Sequence, residues 1–144
     1  MKMYAMIEKP AVDLAEGFYE YAIVGGDLMN NTIKKEVLGR TIEARLTWQG
    51  NDLLVTVTGG DAAHIGSVSV CRMCSGEPRI EKMLLPAHRD DVISDKFAQA
   101  LAQRLNTTVC VVGGIHFDGV SKQDIAEIVR ASDEMLVRIL ASFD

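Results

Sequence analysis

The sequence predicts an α+β fold: a largely antiparallel sheet flanked by two long helices, in the order four strands, helix, strand, helix. Three observations predict it. Apolar and polar residues alternate from Ile42 to Trp48, and Gln49-Gly50-Asn51-Asp52 then turns the chain back into Leu53 to Thr58. Two later stretches, about 90–105 and 121–140, carry apolar residues at helical spacing. Between them, Val109 to Val112 is an uninterrupted apolar run, as in a strand buried on both faces, with Gly113-Gly114 closing it.

A chain of 144 residues suits one domain with a single core. Hydrophobic residues make up 48% and charged residues 24%, ordinary values for a soluble protein. The net charge of −5 and only 6% aromatic residues argue against a nucleic-acid binder, since neither a basic footprint nor a stacking platform is present. No apolar run reaches the roughly 18 residues of a membrane span. The start, MKMYAMIEKP, is broken by Glu8, Lys9 and Pro10 before a signal-peptide core forms, so the chain reads as cytoplasmic, with no membrane partner. Three cysteines fit a reducing compartment. Cys71 and Cys74 have the spacing of half a zinc site with no second pair, and Cys110 reads as core.

Residues 1–37 are taken as an N-terminal extension, packed on the domain or exchanged with a partner subunit. Asp13-x-x-Glu16 has the form of a capping box, while Phe18 to Val24 suits a strand equally well. Gly25-Gly26-Asp27 and Asn30-Asn31 mark turns. After the hairpin, Gly59-Gly60-Asp61 ends the second strand, and His64-Ile65-Gly66 opens a third that runs to about Met73. Ser75-Gly76-Glu77-Pro78 turns the chain into a fourth strand, Ile80 to Leu85. Pro86 closes it, and Asp90 or Asp91 can cap a helix with the stripe Ile93, Phe97, Ala98, Leu101 and Leu105, stopped at Asn106. The apolar run follows, from about Thr107. Ser121-x-x-Asp124 then caps a last helix, whose stripe is Ile125, Ile128, Val129, Met135, Leu136, Ile139 and Leu140.

Strand direction places all three histidines at one edge of the sheet. If Gly59 marks the top, His64 sits there too. The third strand descends and the fourth ascends, bringing Pro86-Ala87-His88-Arg89 to the top. A right-handed crossover through the helix then starts an ascending strand that ends at Gly113 to Asp118. Whether the three loops touch one ligand depends on the order of the strands.

His88-Arg89 leads into a helix N-terminus, where free N–H groups and the dipole favour an anion such as phosphate or carboxylate. Gly113-Gly114 leaves room for backbone amides to approach the same ligand. Each histidine also has a structural reading, as a hydrogen bond to a nearby carbonyl, and Asp118 serves either to orient His116 or to cap a turn. The histidines lack His-x-His or His-x-x-x-His spacing, so no metal is assigned; a zinc hydrolase using His64, His88 and His116 stays as the enzyme alternative. No serine or cysteine has an adjacent base that would make it a nucleophile.

Three ordered blocks, GGDAAHIGSVSV, LLPAHRDD and VCVVGGIHFDGVSKQDI, together resemble the prenylated-flavin chaperone family, whose reference member is the small D subunit encoded with gallate decarboxylase. The likeness spans about Gly39 to Leu140, and residues 38–144 are taken as the domain. The family pattern has GGD-x-P-H-I-G, G-H-(K/R)-E and G-I-H-x-D-N. Here Ala63 stands for the proline, Ala87 for the glycine, Asp90 for the glutamate and Gly119 for the asparagine.

The resemblance implies a proteasome-assembly-chaperone-like fold that forms homodimers or higher homo-oligomers. It implies binding of prenylated FMN or FMN without turnover, and supply of that cofactor to UbiD-type decarboxylases. The expected ligand contacts are His64, Gly66, His88, Arg89, Gly113, Gly114, His116 and Asp118. A protein-assembly chaperone with an empty rim is the remaining alternative.

Overall fold

The computed structural model describes residues 12–13, 18–22 and 31–143. The chain runs β1 (Val12–Asp13), β2 (Phe18–Ala22), β3 (Asn31–Val37), β4 (Arg40–Gln49), β5 (Asp52–Gly60), β6 (Ser67–Cys74), β7 (Glu77–Leu84), α1 (Asp91–Leu105), β8 (Val109–His116) and α2 (Lys122–Ala141). Of the two readings of the early chain, the strand at Phe18–Ala22 is the one observed, and Asn31 opens β3 rather than a turn. Glu16 and the turn at Gly25-Gly26-Asp27 lie outside the described residues.

All eight strands form one sheet in the order β1-β2-β3-β4-β5-β8-β6-β7. Every neighbouring pair is antiparallel except β5 and β8, which run parallel from Leu53↔Val109 to Gly60↔His116. The four predicted strands therefore do not form a continuous meander: β8 is inserted between β5 and β6. Its own apolar run and that of β5 make them the best central strands, and the α1 crossover is long enough to permit parallel pairing.

Two-residue turns join the hairpins. Leu38-Gly39 (φ 52° and 72°) and Ser75-Gly76 (φ 51° and 80°) take positive φ at both central positions, the conformation whose twist matches the flanking strands. The predicted turn at Ser75-Gly76-Glu77-Pro78 is thus shorter than expected. Pro78 lies in β7 opposite Met73, tolerated because β7 is an edge strand whose outer side needs no ladder donor.

α1 packs on β6, β7 and β8, α2 on β3, and the helices on each other. Against them lies a core that includes Ile42, Leu46, Val55, Val57, Phe97, Leu101, Val109, Val111, Met135 and Ile139. The α1 stripe is as expected. On α2, Ile125 is 49% exposed, because the first turn overhangs the core, while Ile128, Ala131, Met135 and Leu136 are buried. The capping box at Ser121 forms in both directions: its hydroxyl accepts from Asp124 N (3.1 Å), and the Asp124 carboxylate accepts from Ser121 N (2.9 Å).

β8 departs from its sequence reading in two ways. Burial alternates, with Val109 and Val111 inaccessible but Cys110 and Val112 only half-buried, so Cys110 is not core. The strand is covered by α1 on one face, and the opposite side chains keep partial exposure. The glycines also do not close it, since pairing continues through Gly113 and Gly114 to His116.

Candidate ligand site at the sheet edge

The strand order answers the question the sequence left open. Gly60 pairs with His116, Gly113 pairs with Ser67, and Ser67 pairs with Leu84. The ends of β5, β8 and β7 and the start of β6 are therefore consecutive at one edge, and the three histidine-bearing loops meet there.

His64 and His88 stack with ring centroids 4.6 Å apart, and the His116 ring meets His64 edge-on at 6.4 Å. His64 Nδ1 lies 3.2 Å from the carbonyl oxygen of Ala62, its own turn. His64 Nε2 lies 3.1 Å from His88 Nδ1 and 3.3 Å from Asp90 Oδ2. His116 Nε2 instead meets Asp118 Oδ1 at 2.8 Å, so Asp118 does orient that ring. The three imidazoles consequently do not form one coordination set, and the third donor beside His64 and His88 is Asp90.

Asp90 is the residue that sequence reasoning missed. It occupies the N-cap position of α1, as expected, but its side chain makes no capping bond. It is 8% exposed, with Oδ1 accepting from Ile115 N (2.9 Å) and Oδ2 turned to the histidines. One carboxylate thus ties the start of α1 to the end of β8. The available signal was its position in the His88-Arg89-Asp90 block, outweighed by the commoner capping role of an aspartate before a helix.

Two glycines make the close approach possible. A Cβ on Gly66 would stand 1.9 Å from Asp90 Oδ2 and 3.0 Å from His64 Nε2. A Cβ on Gly114 would stand 1.6 Å from the carbonyl oxygen of His64, whose loop backbone crosses there. His64 N and Gly66 N donate to Gly114 O and Gly113 O at 3.4 and 2.8 Å. Gly113 and Gly114 therefore seat the His64 loop. Arg89 is 79% exposed and pairs with Asp91 (3.4 Å).

The loops are clamped by Asp61 as well. Asp61 N and Ala62 N both donate to His116 O (2.7 and 3.4 Å). The Asp61 carboxylate accepts from Asp118 N (2.7 Å) and from Arg40 Nε (3.0 Å). The Asp118 amide first and the Arg40 guanidinium second hold its pKa below the ordinary carboxylate value.

Beneath the rim, the buried hydroxyls of Ser67 and Ser69 each lie 2.8 Å from Ser94 Oγ, and Ser69 donates to Asp95 (2.6 Å). Lys82 joins Asp95 (2.8 Å) and Asp91 (3.2 Å), which raises the lysine pKa and lowers that of Asp91. These serines bond to one another and to Asp95 rather than to an imidazole. Beside the rim, an open cleft of about 480 Å³ is lined by Lys34, Glu36, Thr41, Glu43, Thr58, Gly59 and Ala63, the last adjoining His64.

Residues 36–144 match the prenylated flavin chaperone LpdD-like domain. The chain belongs to that family. It is 30% identical over 115 residues to Protein LpdD of Lactiplantibacillus plantarum, covering 76% of this chain and 82% of that protein. Its fold is similar to that of a chain in the crystal structure of a chaperone complex for yeast 20S proteasome assembly, with a TM-score of 0.53 and 11% identity over 78% of this chain and 97% of that one. The α+β, proteasome-assembly-chaperone-like fold expected from the sequence is the one observed. Among the described residues, no helix is long and apolar enough to cross a membrane.

Proposed function

We propose that this member of the chaperone family binds prenylated FMN or FMN at the histidine rim and delivers it, as a homodimer or higher homo-oligomer in the cytoplasm, to a UbiD-type decarboxylase, without turnover of its own. The observation that carries the reading is the convergence of His64, His88 and His116 at one edge, in the three blocks that also carry the family resemblance. The adjoining cleft has the volume of a small-molecule site. Ile65, 60% exposed beside His64, supplies apolar surface suited to a flat ring system. Arg89, exposed on the His88 loop, is available to a phosphate if it exchanges Asp91 for the ligand.

Titration of tag-free protein with FMN and with prenylated FMN, followed by flavin fluorescence, tests the proposal. Saturable binding weakened by His116→Ala or Arg89→Ala is expected. Absence of binding of either flavin at tens of micromolar, a Kd weaker than about −6 kcal/mol would give, overturns it.

A further inference from the structure

We infer that His64, His88 and Asp90 form a binding site for a single divalent transition-metal ion of the zinc class. The donor atoms His64 Nε2, His88 Nδ1 and Asp90 Oδ2 are 3.1, 3.3 and 3.8 Å apart. Donors bound at about 2.0–2.1 Å stand roughly 2.8–3.4 Å from one another at octahedral to tetrahedral angles. Two of the three separations fall in that range, and the third, 3.8 Å between His88 Nδ1 and Asp90 Oδ2, lies just beyond it, so ligation requires His88 to move inward.

The hydrogen bonding points the same way. The Ala62 carbonyl can only accept, so His64 Nδ1 is its donor, and in the neutral ring Nε2 keeps its lone pair. That lone pair faces Asp90 Oδ2, which is also an acceptor. A cation at this point is met by His64 Nε2, His88 Nδ1 and Asp90 Oδ2 together, and the carbonyl bond to Nδ1 is the kind of contact that orients metal-bound imidazoles.

Asp90 is held from its other oxygen by Ile115 N, leaving Oδ2 free for the ion. Glycine at position 66 keeps the space clear, since a Cβ there would press on both Asp90 Oδ2 and His64 Nε2. Two imidazoles and one carboxylate select zinc, cobalt, iron or manganese over calcium and magnesium. With three protein donors and His88 37% exposed, the remaining positions are open to water. The site shares His64 and His88 with the proposed flavin rim, but it is assayed with metal alone, so its failure and the failure of the flavin reading are distinguishable.

The test is titration of tag-free, chelator-treated protein with Zn2+ by calorimetry and with Co2+ by visible absorption. One equivalent of each should bind, with a cobalt spectrum of four- or five-coordinate intensity. His64→Gln and His88→Gln should each weaken binding by about 100-fold or more, beyond the loss typical of outer-shell changes. Cys74→Ser should leave affinity unchanged, which separates this site from the Cys71–Cys74 pair. Circular dichroism shows that each variant is folded. If folded wild-type protein binds neither ion saturably at about 100 μM, a free energy of only about −5.5 kcal/mol, the site is an ordinary hydrogen-bonded cluster and the inference falls. Binding that survives in the double variant His64→Gln/His88→Gln overturns it equally.

Discussion

The two ends of the sheet are built differently. At the lower edge, Gly50-Asn51 and Ser75-Gly76 turn the chain in two residues, and Asn106 in the left-handed conformation (φ 49°) stops α1. Polar groups there are satisfied locally: Thr107 Oγ1 donates to Asn51 O (2.6 Å) and lies 2.8 Å from Asp52 Oδ1. At the upper edge, longer loops after β5, β7 and β8 cross one another, and imidazole and carboxylate groups from three segments face each other. The lower edge is made of contacts that close the chain. The upper edge gathers donor atoms from segments distant in sequence, at the cost of backbone crowding that only glycine accommodates.

Glycine substitution should separate the two ends most strongly. Gly114→Ala forces the His64 loop off β8 and should destabilise by about 3 kcal/mol, the upper end of steric insertion at a packed site, because the clash is with backbone. Gly50→Ala, with φ 62° and open space around the new Cβ, should cost only about 1 kcal/mol of backbone strain. Urea unfolding of both variants checks the contrast, and equal losses would mean that the upper edge is no more crowded than the lower.

Ala87 sharpens the comparison in the opposite direction. It has φ 63° in the upper-edge loop, where the family pattern has glycine. Ala87→Gly should therefore stabilise the protein by up to about 1 kcal/mol, read as a rise in Tm. An unchanged or lower Tm would show that the loop relaxes around the alanine.

The smallest effect concerns acid. The folded-state pKa of Asp61 is depressed, so its contribution is fully present above the ordinary carboxylate value. It is lost as pH falls from there through the lowered folded value. Asp61→Asn should be less stable than wild type at neutral pH, and the difference should shrink as pH drops below the ordinary carboxylate range. A gap that stays constant with pH would show that Asp61 acts through shape rather than charge.

Family membership was legible through the resemblance of three sequence blocks, and the α+β class through local pattern. The hairpin at Gly50, the α1 stripe from Ile93 to Leu101 and the Ser121 capping box are encoded within a few residues of one another. Strand direction also follows from element order, so the shared edge for His64, His88 and His116 was already implied. Four details depended on distant segments. Pro78 joins β7 because that strand is an edge, Cys110 is half-exposed because α1 covers one face of β8, and Ile125 overhangs because the core ends before it. Asp90 abandons its cap because Ile115 N offers a partner 25 residues away.

What the sequence by itself determined is the elements from β4 onward, their directions and the edge that holds the histidines, since each follows from periodicity, turn chemistry and handedness within short windows, whereas β3 was read as a turn and extension. What only the tertiary structure decided is the insertion of β8 between β5 and β6, and with it the neighbours of each histidine. That choice rests on the competition among strands for the sheet centre, which no short window contains. It brings Asp90 to His64 and His88, and leaves His116 to Asp118.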